Sequence, residues 1–560
     1  MYRAYMAMIR SITAPFAVII IGSVLITGAA VSAEEKPKDE AYYDIGGFHF
    51  ATSTSSAKAQ TWFDRGLATC LGFNHEEGVR CFERALQADP GMAMAYWGLA
   101  YAWGPNINNT EIEPHQIAEA NLAIRLAKLQ AEVASPLEKV LIDAFALRHT
   151  TPVPEDREAL NRAYANAMRA VYRNHPDDPI VAALFAESLM ILRPWKQWDA
   201  NGNPAPETPE IVSVLESALV KAPDHPALCH LYIHTMEASP TPEKAQKAAD
   251  QLRDAMPGLG HLVHMPSHID VLLGNYESVI RTNQRAIEAD KEFLKREGPN
   301  NFYTFYRVHN YHFLMYGAMF DGQSKLALQA ADDLIATVPT DMLREQSDFL
   351  DAFMPMRFHV FVRFGQWNAI LAEPEPADYL PVSRSIRHYA RAVAFAATGR
   401  VLEAEAEQKL FAFQSALVPE TSILFNNTSR DILAVAGAMV AGEVAYRKKD
   451  VDGAFKHLRE AVRLDDAMNY DEPWAWMQPA RHALGALLLE QGRVADAEQV
   501  YRNDLQRHPK NPWALNGLAE CLQEQGKTQE AVKRRNEFAD AAQRADVKID
   551  RSCFCRLVTE

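Results

Sequence analysis

Few residues here could build a disulfide framework. Six cysteines are spread over 560 residues. Cys70, Cys81, Cys229 and Cys521 sit in apolar helical patterns, as small buried hydrophobes would. Cys553 and Cys555 stand in the tail, and neighbours this close rarely bond to each other. They are left as free thiols, a soft metal-ligand pair or an intermolecular bridge, and the plain expectation is a tail of no special role. Positive charge is also short. A net charge of −15 argues against the basic footprint that non-specific nucleic-acid binding needs. The chain has no GxSxG elbow, Walker loop, dinucleotide fingerprint, HExxH or CxxCH. Serine-nucleophile, nucleotide and covalent-haem chemistry therefore lack support. No strand-like alternation of any length interrupts the chain, and long apolar runs are confined to its start.

That start reads as an export signal. Arg3 and Arg10 precede the apolar run Phe16 to Thr27, and Val31 and Ala33 supply the small residues of a cleavage site before Glu34. The run is short for a membrane span. No cysteine stands at the cleavage site, so no lipid anchor is indicated. A signal peptide over 1–33 predicts a mature chain beginning near Glu34, in a bacterial periplasm or outside the cell, with no stable membrane span after cleavage.

What the chain has in quantity is helix-forming apolar pattern, with 48% hydrophobic residues. TWFDRGLATCLGFNHEEGVRCFERALQADP places Gly66, Gly78, Phe82, Ala85 and Pro90 at the spacings of a helical hairpin. RHALGALLLEQGRVADAEQVYRNDLQRHP does the same with Gly485, Gly492, Ala497, Tyr501 and Pro509, and Ala519, Gly526 and Ala531 follow in the next copy. Ala519 and Ala531 lie 34 residues beyond Gly485 and Ala497. Glycines Gly274, Gly322, Gly365 and Gly399 mark the turns of mid-chain copies.

These motifs resemble the tetratricopeptide repeat, two antiparallel helices in about 34 residues with small residues where they touch. The phrases GFNHEEGVRCFERAL, AYWGLAYAWGPNIN, HLYIHTMEASP, GHLVHMPSHI and DEPWAWMQPARHALGALLL resemble an exported bacterial class of such proteins. The resemblance implies an all-α solenoid and an exported compartment, and it implies no chemistry. The predicted organisation is a linker at 34–58 and repeat-like helices at 59–223. A Trp- and Pro-rich insertion at 193–210 interrupts these helices. A central His-rich array at 224–372, a C-terminal array at 373–543 and a Cys-containing tail at 544–560 complete it.

The insertion carries Trp195 and Trp198; a lid over a functional face and a plain surface connection are equally consistent with it. Histidine is the other outstanding feature. His230 and His234 are four residues apart, and His264 and His268 repeat the pair 34 residues later. Such a pair shares one helix face, and the offset puts both pairs in the same slot of successive hairpins. Measured from the residue seven before each turn glycine, His261, His264, His268, His309 and His312 fall on one stripe. His230, His234 and Glu237 join that stripe by the 34-residue offset. In tetratricopeptide arrays this stripe resembles the one lining the concave groove. Pro266 and Pro355 should kink the helices of His268 and His359.

Neutral imidazoles suit Zn²⁺, Cu²⁺ or Fe²⁺. His230, His234, His261, His264, His268, His309 and His312 are the candidate transition-metal ligands, with Glu237 as a further ligand or catalytic base. An organic-ligand site and satisfied structural histidines are the competing readings. Tyr303, Phe305, Tyr306, Tyr311 and Phe313 read as core and groove wall. His75 reads as a capping or surface residue, and Glu187 as a carboxylate facing the groove. Tyr470, Glu472, Trp474, Trp476 and Arg481 read as a patch, with a Glu–Arg pair, that closes one end of the groove. Two functions follow: a metal-dependent enzyme or metal-handling protein, or a non-catalytic scaffold that binds a peptide, protein or small molecule in the same groove.

Overall fold

The computed structural model describes residues 42–557 except 111, 151–153 and 155. The export signal and its cleavage site lie outside the described residues. Helices dominate from Ala57 to Ala541, and the two-residue strands Ile423–Leu424 and Asn427–Thr428 form a single small antiparallel hairpin. Among the described residues no helix is long and apolar enough to cross a membrane.

The hairpin pattern has a direct packing cause. Tyr501, on helix Val494–Arg507, lies over Gly485 and Gly517 of the preceding and following helices. A Cβ at either glycine would come within 2.6 or 2.3 Å of the Tyr501 ring. Phe82 occupies the equivalent place over Gly66 and Gly98 near the other end of the chain. A large ring slotted between two bare backbones lets neighbouring helices approach closely and buries the ring fully. The same device at both ends makes the architecture an α-solenoid of stacked helical hairpins.

Two hydrophobic cores follow from this stacking. One gathers residues from Tyr43 to Tyr306, the other from Val271 to Cys555. They meet at helices Pro266–Leu272, Tyr276–Glu297 and Thr304–Phe320, each of which contributes to both, next to helix Gly260–His264. Pro266 breaks helix Gly260–His264 from helix Pro266–Leu272, as its missing N–H requires. Pro355 differs from expectation. It sits just before helix Met356–Arg363, at a position where no helical hydrogen bond is lost, and so starts that helix instead of kinking it.

The solenoid closes on itself. The Tyr276 hydroxyl donates to the Pro509 carbonyl at 3.1 Å, and the Trp513 indole N–H donates to the Met319 carbonyl at 3.1 Å. The tail is docked as well, which corrects the expectation of an idle segment. Asp546 accepts from the backbone N–H of Ser324 at 2.7 Å, Arg556 pairs with Glu520 at 2.7 Å, and Phe554 packs on Trp513. Cys553 and Cys555 are joined as a disulfide, against the expectation from their spacing. The bend at Phe554, held against Gly365, brings their Cα atoms to 5.2 Å, inside the range a disulfide bridges.

The closure can be isolated from ordinary turn strain. Gly274 and Gly526 share a φ of +71°, but a Cβ at Gly274 would lie 2.1 Å from the Pro509 carbonyl oxygen, and one at Gly526 would meet nothing within 4 Å. Gly526→Ala should cost about 1 kcal/mol for the left-handed backbone. Gly274→Ala should cost about 1–3 kcal/mol more, because packed backbone must move. Chemical denaturation measures both; equal losses would mean that the C-terminal repeats do not press on this turn.

Candidate metal centre

Helix Pro226–Met236 presents His230 and His234, and Glu237 caps its end. Helix Gly260–His264 carries His261 and His264, Pro266–Leu272 carries His268, and Thr304–Phe320 carries His309. Three sets of donors each have ligand atoms within 4.8 Å of one another: His230, His234 and His261; His264, His268 and His309; His234, Glu237 and His268. His234 and His268 each belong to two sets, so the sets form one continuous cluster.

The contacts inside it are short. His230 Nε2 lies 3.1 Å from His261 Nε2, and His264 Nε2 lies 2.7 Å from His268 Nε2. The Glu237 carboxylate spans two rings, with Oε1 at 3.0 Å from His234 Nδ1 and Oε2 at 2.8 Å from His268 Nδ1. Two nitrogens sharing an ion at about 2.0–2.1 Å stand at most about 4 Å apart, so these separations fit shared ions. The far nitrogens are held too. His230 Nδ1 donates to the Leu71 carbonyl at 2.9 Å and His264 Nδ1 to Asn283 Oδ1 at 2.6 Å. The Asn283 amide is oriented by its own N–H donation to the Val279 carbonyl at 2.9 Å. Such outer partners fix ring orientation at metal centres. His234 Nε2, His261 Nδ1 and His309 Nδ1 are buried and find no hydrogen-bond partner in the chain.

Electrostatics point the same way. Burial drives the His230, His234, His261, His264 and His309 imidazoles well below their usual titration range, helped by their mutual repulsion. They are neutral, the form that coordinates a metal. Burial, and then the like charge of Glu472, pushes Glu237 up to about 8. Burial also raises Glu472 well above the carboxylate range. A cation would supply the counter-charge these carboxyls need in order to ionise.

Several placements depart from the sequence reading. His312 does not join the cluster. It is one helical turn beyond His309, and its Nε2 lies 3.0 Å from Met477 Sδ. Glu472 does join, in close contact with His268 Nδ1 and hydrogen-bonded to Glu237. It therefore forms no pair with Arg481, which binds Asp466 at 2.6 Å. Glu472 was missed as a member of the cluster because it comes from a loop outside the repeat register. The stripe does not line an open groove either. The Phe73 ring packs 4.6 Å from His230, and Trp195 of the insertion stands edge-on to His234 at 5.6 Å. Trp198 anchors that insertion by donating to the Thr235 carbonyl at 2.7 Å. A cavity of about 110 Å³ remains, lined by His234, His261, His268, His309 and Glu472 and walled by Trp195, Phe302, Phe305, Tyr306, Phe349 and Phe425. Phe313 stacks on His268 at 5.3 Å, and the Tyr303 hydroxyl accepts from the His261 N–H at 3.0 Å.

His75 lies apart, its Nδ1 3.0 Å from the Ala102 carbonyl; the helix is capped by Asn74 instead. Glu187 accepts from the Tyr101 hydroxyl at 2.6 Å within the N-terminal core, away from the cluster. Burial, outweighing the Tyr101 hydrogen bond and the Arg148 charge, pushes its carboxyl up to about 7 from 4.5. A carboxyl raised on folding contributes stability that is full below its unfolded value and lost as pH rises through its folded one. Up to about 3 kcal/mol should therefore disappear as pH rises from 4.5 past 7. Glu187→Gln, which stays neutral, should be more stable than the parent at pH 8, with the gap closing near pH 4.5. A gap that stays constant across this range in denaturation experiments would contradict the assignment.

Comparison with known proteins bears on the fold alone. Residues 488–548 match the tetratricopeptide repeat family. No curated protein matches the chain. Among solved structures, a human IFIT1 dimer with m7Gppp-AAAA is 13% identical over 88% of this chain and 91% of that one, with a TM-score of 0.31. A human IFIT1 dimer with PPP-AAAA is 13% identical over 85% and 89%, with a TM-score of 0.29. Similarity at this level carries no argument about ligands. The match to the tetratricopeptide repeat lies in the C-terminal hairpins of an all-α solenoid.

Proposed function

We propose that the histidine cluster is a multinuclear transition-metal centre and that the chain is an exported, metal-dependent enzyme acting on a small molecule. One observation carries the reading: six imidazoles and two carboxyl groups gather beside a cavity. A site closed on all sides by protein would be structural, whereas here five of the donor residues line the space a substrate would occupy. The imidazole-rich donor set suits Zn²⁺, Cu²⁺ or Fe²⁺. When bound, such an ion supplies Lewis acidity toward a water or substrate oxygen.

The chain's own residues divide the remaining work. Glu237 holds His234 and His268 together and acts as a bridging or orienting carboxylate, which leaves it poorly placed as a free base. Glu472, which lines the cavity beside His268, is once ionised the better acceptor for a substrate or water proton. The aromatic wall excludes bulk water and fits a small molecule with apolar surface. Export to the periplasm or medium, as the Arg3-to-Ala33 leader suggests, would expose the centre to extracytoplasmic metals. The second reading is a non-catalytic scaffold for a peptide or protein partner, favoured by the repeats at 488–548.

Elemental analysis separates the two. Purified protein should retain two or more transition-metal ions per chain, and the double substitution His234→Ala and His268→Ala should release at least one while helical content is kept. A metal-free parent protein that cannot be reconstituted would sink the metal reading and leave the scaffold. The outer partners give an independent check. Asn283→Ala should weaken metal retention about 10–100-fold against a competing chelator, since His264 loses the acceptor that orients it. Unchanged retention would show that His264 does not ligate.

A further inference from the structure

The docked tail sets Cys553 and Cys555 beside a buried acid. Glu443, on helix Ser429–Arg447, is 1% exposed, and its Oε2 finds no hydrogen-bond partner among the described residues. A carboxylate oxygen of Glu443 and the two sulfurs all lie within 4.8 Å of one another. Cys555 is fully buried, whereas Cys553 is half-buried and so meets an incoming reagent first. The bond between the two cysteines adds little as a staple. They are two residues apart, and the loop entropy that a disulfide removes from the unfolded chain grows with loop length. Other contacts hold the tail. The Tyr501 hydroxyl donates to Ser552 Oγ at 2.7 Å, and Ser552 Oγ donates to the His482 carbonyl at 2.7 Å. Arg363 donates to the Ser552 carbonyl, Phe554 packs on Trp513, and Arg556 pairs with Glu520. A disulfide that stabilises little, next to an acid oxygen without a partner, suits exchange better than support.

We propose that Cys553–Cys555 is a thiol–disulfide exchange site that oxidises aliphatic thiols, with Glu443 as proton donor to the leaving sulfur. An incoming thiolate attacks Cys553 Sγ and forms a new S–S bond there. The Cys553–Cys555 bond breaks, its electron pair stays on Cys555 Sγ, and Cys555 takes the proton of the Glu443 carboxyl. A second external thiolate then attacks the sulfur of the first. Cys553 leaves as a thiolate and is protonated by water, which also reprotonates Glu443. These two protons match the two that the external thiols released on ionising. Two thiols have become one disulfide, and their two electrons have reduced Cys553–Cys555 to a pair of thiols. The surroundings serve both sulfurs. Burial, outweighing the Arg447 charge, pushes Glu443 up to about 7, so its carboxyl holds a proton that it can give. Arg447 donates to the Cys555 carbonyl, and a cation so placed favours a developing thiolate. No residue of the histidine cluster takes part, so the site stands apart from the metal reading.

Excess reduced glutathione is added to the full folded chain, thiols are alkylated at intervals, and the labelled residues are identified by mass spectrometry. Cys553 and Cys555 should become labelled with the circular dichroism unchanged, while the buried Cys70, Cys81, Cys229 and Cys521 stay unlabelled. Glu443→Gln, which keeps the shape and loses the acid, should slow this reduction roughly 100-fold, the lower end for a positioned general acid. The order of attack has its own test. With oxidised glutathione, Cys555→Ser should form a mixed disulfide on Cys553, and Cys553→Ser should leave Cys555 unmodified. This pair decides the matter should Glu443→Gln fail to fold. A bond that glutathione reduces only after urea unfolds the chain would overturn the proposal, as would a parent-like rate in folded Glu443→Gln or faster modification of Cys555 than of Cys553.

Discussion

Desolvation of the donor cluster is the constraint on which the rest of the structure depends. Imidazoles and carboxyls that water would otherwise solvate are packed between two hydrophobic cores. Burying polar groups without partners costs about 1–3 kcal/mol each by mutational measure. Three ring nitrogens are left in that state. The chain meets part of the demand itself, through Leu71, Asn283 and the shared Glu237 carboxylate. A cation would satisfy those lone pairs and the carboxyls together.

Closure of the solenoid maintains that desolvation. An extended array of hairpins would leave its inner helix faces open to water. Here the first hairpin brings Phe73, the insertion brings Trp195, the small β-hairpin brings Phe425 and the loop before helix Ala480–Glu490 brings Glu472. Each is an irregular segment, free of the hairpin's packing demands and so able to reach across. The C-terminal repeats and the tail then brace the ring from outside, on Gly274, Gly322 and Gly365, where a side chain would collide with the docked chain. Turn glycines that serve only the turn, such as Gly399 and Gly492, meet nothing within 4 Å.

Much of this was legible in the sequence, and the boundary of legibility is physical. Periodic features could be read because they repeat: the glycine-aromatic spacing that sets the hairpins, and the 34-residue offset that pairs His230 with His264 and His234 with His268. The role of Glu472 could not be read, because a loop carries no period and its partner His268 is two hundred residues away in the chain. Met477 was hidden for the same reason. The Cys553–Cys555 bond was misjudged because it depends on a bend that tertiary docking of Phe554 imposes. His312 exposes a limit of the stripe argument itself. Residues three apart on a helix are rotated by about 60° and displaced by about 4.5 Å, enough to move a ring from one cluster to the next.

The division of labour between regular and irregular segments has a chemical consequence. Stacked helices repeat at a fixed slot, so they can place many copies of one neutral ligand type side by side. They cannot easily place acids there, because like charges at one slot of adjacent helices would repel in a dry interior. The two carboxylates accordingly enter at breaks in the pattern, Glu237 at a helix end and Glu472 from a loop. On the proposed metal reading, imidazole number would set how many ions the interior can hold, while the two acids would set how much positive charge it can neutralise. A repeat array that had gained histidines alone would favour monovalent or anion-accompanied metals. With Glu237 and Glu472 added at its irregular positions, the same array would, on the proposed metal reading, suit divalent ions at the cluster.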